Sequence, residues 1–304
     1  MATGFFDIQV NGYKGVDFQS DQLTSEQLHA VCQHLADDGV AGILATLTTD
    51  HVDSLIQRLK RIVQFRAQDA LVARIIAGFH IEGPFLNETV GYRGAHPEDA
   101  IHPANEDEMS RMLDAAAGLT KLVTLAPERD AGQKVTRMLV KAGVRVSAGH
   151  CNPSLEELQA GIDAGVTLFT HVGNGCPMQM HRHDNIVQRA LSFSDRLYLC
   201  FIADGAHVPF FALKNYLRLA GLERCVIVTD CMSAAGMTPG RYQLGRWDVL
   251  VGPDMVARAP DGSHLVGAAI TMPQTYANLT QKLGLSPADA HRLVVDNPRT
   301  AIGI

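Results

Sequence analysis

The chain has 304 residues, 46% of them hydrophobic, and a formal net charge of −6 with histidine neutral. Lysine and arginine are scattered rather than clustered, which argues against nucleic acid as the main partner. No apolar run approaches the roughly 18 residues of a membrane span, and the start Met1-Ala2-Thr3-Gly4 does not read as a signal peptide. Six cysteines (Cys32, Cys151, Cys176, Cys200, Cys225 and Cys231) show no CxxC pair and no framework spacing, so a cytoplasmic location is expected. A chain of this size can bury roughly three quarters of its unfolded surface. One domain over 1–304 is expected, because α/β barrels commonly run to about 250 residues or more as a single unit.

A first strand is read at Phe5-Phe6-Asp7-Ile8-Gln9-Val10, followed by a turn through Gly12 and Gly15. Helix 24–38 comes next, capped by Thr24 or Ser25, with Leu28, Val31, Cys32 and Leu35 on one face. Strand two is 42–48 and helix two 52–67. The apolar run Ile75 to Phe79 leads into strand three, which ends at Glu82 and is stopped by Gly83-Pro84. A loop at 87–104, containing Gly91, Arg93, Gly94, His96, Pro97 and Pro103, is long enough to be functional. Helix 105–117 and strand 122–127 follow, then helix 131–142 and strand 145–149, then helix 154–164 and strand 166–170. An irregular segment at 174–188 precedes strand seven at 197–203, helix 209–220 and strand eight at 225–229. The segment 248–267 suggests a hairpin turning at Pro260-Asp261-Gly262, and helices at 270–283 and 286–295 close the chain. Eight apolar strands alternating with helices at a spacing of about 30 residues favour a closed (β/α)8 TIM barrel over an open doubly wound sheet.

Four of these runs end on a polar residue: Glu82, His150, His171 and Asp230. Each alone has an ordinary explanation. A histidine after a strand is often a structural hydrogen-bonding residue, Glu82 could pair with an arginine, and Asp230 could cap a turn. In a barrel, however, strands three, five, six and eight deliver all four to one rim, where active sites lie. Two imidazoles and a carboxylate suit a divalent ion with a position left open for water. Such an ion polarises a carbonyl and lowers the pKa of bound water towards about 7. Asp230 would then move the proton from water to a leaving amine, and hydrolysis of an amide follows.

Six motifs, His80-Ile81-Glu82-Gly83-Pro84-Phe85, Thr124-Leu125-Ala126-Pro127-Glu128, Ser147-Ala148-Gly149-His150, Thr170-His171, Asp204-Gly205-Ala206-His207-Val208 and Val228-Thr229-Asp230, share their order and spacing with one family. In these the chain resembles the N-acetylglucosamine-6-phosphate deacetylases of the amidohydrolase superfamily. The likeness runs from Gly4-Phe5-Phe6-Asp7 to Asn297-Pro298-Arg299-Thr300-Ala301-Ile302-Gly303. It implies that Glu82, His150 and His171 hold the catalytic metal and that Asp230 is the acid/base. It also implies that His96, Asn174, Gly175, His207 and Arg182 meet the sugar and its phosphate, with Arg182 reaching a neighbouring subunit in a homodimer. One divalent ion per chain is expected, zinc first, with iron, manganese or cobalt suiting the same donors.

Three departures bear on that reading. The His-x-His that ends strand one in most amidohydrolases, giving a second metal, is Gln9-Val10-Asn11 here, so a single ion is expected, with Gln9 reaching it through water. The family's Asn-Ala-Met is Asn174-Gly175-Cys176, and Asp184 beside Arg182 is an expected ion-pair partner that would weaken phosphate capture. The small β-sandwich that the family builds from both flanks has no counterpart in the sequence. The expected function is deacetylation of N-acetylglucosamine 6-phosphate. The alternatives are hydrolysis of another N-acyl or cyclic amide, or sugar-phosphate binding without catalysis.

Overall fold

Each of the eight apolar runs forms a strand in the computed structural model, which describes residues 4–304. Residues 1–3, part of the start discussed above, lie outside it. The strands are β1 (Phe5–Val10), β2 (Val40–Thr48), β3 (Ile76–Glu82), β4 (Thr120–Leu125), β5 (Arg145–Ala148), β6 (Val166–Phe169), β7 (Tyr198–Ile202) and β8 (Cys225–Val228). They pair in parallel and in chain order, with helices on the outside, as a (β/α)8 TIM barrel requires. The seam between β1 and β8 is closed beyond the ladder: Val10 bridges Cys231, and the Asn11 N–H donates to the Cys231 carbonyl at 2.7 Å. Lower down, the Asp7 carboxylate crosses the seam and accepts the Thr229 hydroxyl at 2.5 Å.

Strand alternation sorts side chains into two apolar clusters. Ile43, Ala45, Leu47, Phe79, Ile81, Val123, Leu125 and Val146 face the helices. Phe6, Ile8, Leu44, Leu122, Leu168, Ile202, Val226 and Val228 fill the inside of the barrel. Above this plug lies a layer of hydroxyls. Thr124 Oγ1 is 2.7 Å from His80 Nε2 and 2.8 Å from Thr170 Oγ1, which is 2.6 Å from Ser147 Oγ. Burial pulls the His80 imidazole down to about 4, so it is neutral at pH 7. The barrel interior thus changes from apolar to hydrogen-bonding to charged along its axis, with the charged layer at the C-terminal mouth.

Helix boundaries follow local chemistry. Thr24 and Gln27 form a capping box on Ser25–Asp37, and Ser154 and Glu157 form another on Leu155–Ala164. Several features differ from expectation. A short helix, Ala70–Ile75, capped by Asp69, takes the start of the apolar run that leads into β3. The expected hairpin is a three-stranded sheet of β9 (Gly240–Leu244), β10 (Trp247–Val251) and β11 (Ala257–Arg258). Its first strand turns at Gly245-Arg246, upstream of the expected segment. The Pro260-Asp261-Gly262 turn is present as well, with Arg258 bridging Leu265. The terminal helices carry π-helical turns at Asn278–Lys282 and Arg292–Asp296, and a last helix, Asn297–Ile302, was not expected. No helix among the described residues is long and apolar enough to cross a membrane.

The seam makes a prediction. Burial, against hydrogen bonds from Thr229 and Gln9, pushes the Asp7 carboxyl up to about 7. A carboxyl raised in the folded state favours folding in full below its unfolded pKa of about 3.9, and that contribution is lost as pH rises through the folded value. Asp7→Asn cannot ionise, so its stability should fall less than the wild type's over the same window. The expected difference, at about 1.36 kcal/mol per unit and with the group half-titrated at each end of the window, is about 3 kcal/mol between pH 4 and pH 7. Urea midpoints of the two proteins across that range provide the test, and parallel curves would contradict it.

Candidate metal centre

Glu82 is the last residue of β3, and its side chain points into the barrel mouth. His150, His171 and Asp230 each lie two residues beyond β5, β6 and β8. All three have left-handed backbone, with φ of 49°, 27° and 51°. This conformation is uncommon for residues with a Cβ and costs on the order of 1–3 kcal/mol each. Here it turns three side chains off the ends of their strands.

The result is a tight, buried cluster. Glu82 Oε1 lies 3.1 Å from His171 Nε2 and 3.4 Å from His150 Nε2, and the two Nε2 atoms are 3.1 Å apart. Burial alone would raise the Glu82 carboxyl, yet the two imidazoles hold it well below the usual carboxylate range. His171 shows the reciprocal effect: burial opposes its protonation, but the Glu82 hydrogen bond and charge outweigh it and raise its pKa. Gln9 Nε2 donates to the other Glu82 oxygen at 3.1 Å.

The donor set fits a divalent ion. Nδ1 of His150 donates to the Tyr92 carbonyl at 2.9 Å, leaving the Nε2 lone pair facing Glu82 and His171. His96 repeats this arrangement. Thr49 Oγ1 gives its hydrogen to the Glu82 carbonyl at 3.2 Å and so accepts His96 Nδ1–H at 2.7 Å. His96 Nε2 then faces His150 Nε2 at 3.2 Å. Burial and the neighbouring His150 hold the His96 pKa well below its ordinary value, so the ring is neutral. Acceptors that face one another at such distances need a shared cation or proton, and Glu82, His150 and His171 can hold a metal ion.

The loop after β3 presses on this centre. A Cβ on Gly94 would lie 2.9 Å from His150 Cε1, and one on Gly175 2.8 Å from His150 Nδ1. Two backbone segments therefore grip the His150 ring at distances that only glycine allows.

The other sequence-derived residues surround the mouth. Burial and the Glu82 charge push the Asp230 carboxyl up to about 6, and Asn11 Nδ2 donates to its Oδ1 at 2.7 Å. His207 Nδ1 is 2.6 Å from Asp204 Oδ2, which fixes the ring and frees Nε2. Asn174 and Gly175 are half-buried in the loop after β6, and Arg182 is exposed further along it. The expected Asp184–Arg182 pair does not form. Asp184 instead binds Arg189 at 2.7 Å, and Arg189 also donates to the Pro153 carbonyl, so this aspartate anchors the loop and leaves Arg182 without a carboxylate partner among the described residues. A cavity of about 840 Å³ lies apart from the cluster. It is lined by Arg58 and Arg246, whose charges are met by Asp21, Asp50 and Asp99. Sequence reasoning missed Asn11, Thr49 and Tyr92 as contributors. Asn11 was visible as the last residue of Gln9-Val10-Asn11, whereas a backbone carbonyl such as that of Tyr92 leaves no mark in a sequence.

Comparison with known proteins sets this geometry in context. No family model matches the chain. An N-acetylgalactosamine-6-phosphate deacetylase of Escherichia coli O157:H7 is 30% identical over 100% of this chain and 78% of the relative. The N-acetylglucosamine-6-phosphate deacetylase of Bos taurus is 31% identical over 100% of this chain and 75% of its own. The chain belongs to the N-acetylglucosamine-6-phosphate deacetylase family. It is therefore a metal-dependent amidohydrolase. A solved family member from Mycobacterium smegmatis, a variant in complex with N-acetyl-D-glucosamine-6-phosphate, superposes with a TM-score of 0.88 at 30% identity. That match covers 99% of this chain and 77% of the other.

The grip on His150 is testable. Gly94→Ala adds a Cβ against the ring at a φ of 55°, and should lower stability by about 2 kcal/mol. The readout is the urea midpoint; an unchanged value would mean that the loop does not bear on the ring.

Proposed function

We propose that the protein hydrolyses the acetamide of an N-acetylated hexosamine 6-phosphate, N-acetylglucosamine 6-phosphate first, releasing acetate and the amino sugar phosphate. The observation that carries this reading is the convergence of Glu82, His150 and His171 beside Asp230 in a chain that aligns along its whole length with deacetylases.

Glu82, His150 and His171 are the residues that would hold the ion, proposed to be a single zinc. Bound there, it would supply Lewis acidity to a carbonyl oxygen and lower the pKa of water. Asp230 takes a proton from the attacking water and delivers it to the nitrogen as the C–N bond breaks. Burial raises the Asp230 carboxyl above the usual carboxylate range, which suits a group that must both take up and return a proton. His96 meets the sugar from the loop after β3, and Gln9 steadies Glu82 through its second oxygen. His207 meets the sugar with the free Nε2 that its bond to Asp204 exposes. Asn174, Gly175 and Arg182 take the phosphate, Arg182 as a planar fork that matches phosphate oxygens. Exposure of Arg182 and of the neighbouring Met178 suits a homodimer in which this loop serves the adjacent subunit. A cytoplasmic, single-domain enzyme is part of the same reading.

Both glucosamine- and galactosamine-type deacetylases are among the relatives, so the configuration at C4 is the first variable to examine. The test is acetate release from N-acetylglucosamine 6-phosphate, its galactosamine epimer and their unphosphorylated forms, combined with metal analysis. Glu82→Gln is expected to lose metal and turnover together. Asp230→Asn should keep its metal and lose about 10²–10⁴-fold in kcat; a near wild-type rate would remove Asp230 from its role. Arg182→Ala should raise KM for phosphorylated substrates alone. An unchanged KM would favour an unphosphorylated amide, and binding without acetate release would favour a non-catalytic protein.

A further inference from the structure

Asp230 sits at a φ of 51°, a conformation that persists only where the surroundings over-determine it. The surroundings come from β1 on one side. The Thr229 hydroxyl donates to Asp7 Oδ2 at 2.5 Å and accepts the Cys231 N–H at 3.1 Å. One hydroxyl thus ties together the residues immediately before and after Asp230, and a buried carboxylate holds that hydroxyl. Asn11 adds two bonds: its N–H to the Cys231 carbonyl at 2.7 Å and its Nδ2 to Asp230 Oδ1, also at 2.7 Å. From the other side, the Ala268 N–H donates to the Asp230 carbonyl at 2.9 Å. The turn backbone is clamped on both flanks, while the carboxylate is held by one oxygen. Its Oδ2 accepts no hydrogen bond among the described residues.

We propose that Asp7, Thr229 and Asn11 are positioning residues, which hold Asp230 in its left-handed turn and leave Oδ2 as the oxygen that carries the proton. The proposal rests on the reading of Asp230 as the acid/base. Asp7 and Thr229 act through the backbone on either side of Asp230, and Asn11 acts on its carboxylate as well. Their effect therefore belongs to the proton-transfer step and not to metal or substrate binding. The Thr229 hydroxyl is required as donor and acceptor at once. Serine provides both functions, and valine, of the same shape, provides neither.

The experiment compares Thr229→Val, Thr229→Ser, Asn11→Ala and Asp230→Asn as metal-loaded full-length proteins, with metal content and urea midpoint measured for each. Thr229→Val and Asn11→Ala are expected to lose about 10–100-fold in kcat, the cost of misplacing a reacting group by about 1 Å. Their KM and metal content should stay within about twofold of wild type, and Thr229→Ser should recover most of the kcat lost in Thr229→Val. Wild-type kcat in both Thr229→Val and Asn11→Ala, alongside an inactive Asp230→Asn, overturns the positioning role and leaves the role of Asp230 intact. A near wild-type rate in Asp230→Asn removes the reading beneath it. A loss in Thr229→Val that serine does not recover, or that tracks metal content or KM, also overturns the proposal, and Asn11→Ala reports independently if Thr229→Val does not fold.

Discussion

The buried Glu82 carboxylate is the constraint around which the mouth of this barrel is arranged. It ends an apolar strand at 2% exposure, where an ionised group left alone would cost several kcal/mol. Everything within reach lowers that cost. Two imidazoles meet one oxygen, the Gln9 amide meets the other, and the hydroxyl of Thr49 takes the residue's own carbonyl. Removing the charge would leave three imidazole nitrogens facing one another with nothing to reconcile them. The same electrostatic demand therefore shapes both the stability of the mouth and its fitness for a cation.

The layers beneath explain how a folded chain tolerates this. The lower barrel is filled by aliphatic side chains and Phe6, which need no partners. The hydroxyl layer of Thr124, Ser147 and Thr170, with neutral His80, comes next and satisfies itself. Apart from Asp7 at the seam, charge is concentrated at the top, where loops from different strands supply donors. A barrel in which Thr124 or Ser147 were aliphatic would bring hydrocarbon directly under the carboxylate and strip away polarisable groups that soften the transition between layers.

Much of this was legible in the sequence because parallel strands write themselves as continuous apolar runs. A polar residue that ends such a run stands out, which is how Glu82, His150, His171 and Asp230 were found together. Ends of elements were harder. Ala70–Ile75 merges with the run before β3 because a short apolar helix and a buried strand share a composition. Strand β9 was missed because Gly240, Arg241 and Gln243 alternate weakly and sit half in solvent. The pairing of Asp184 with Arg189 rather than Arg182 was out of reach for a different reason. Adjacent charges compete, and the winner is set by loop geometry that brings Arg189 against Pro153. Backbone groups were invisible throughout, the Tyr92 carbonyl above all.

The grip on His150 carries a consequence for how such a site can change. The segment that presents His96 to the mouth also supplies the carbonyl that orients the His150 ring and a glycine that abuts it. Insertions or deletions there, a common means by which barrel enzymes acquire new specificities, would be transmitted at once to the coordination geometry. This loop, like the start of the loop after β6 at Gly175, is consequently constrained against drift, and selectivity should diversify first beyond Gly175, in the exposed stretch that bears Arg182.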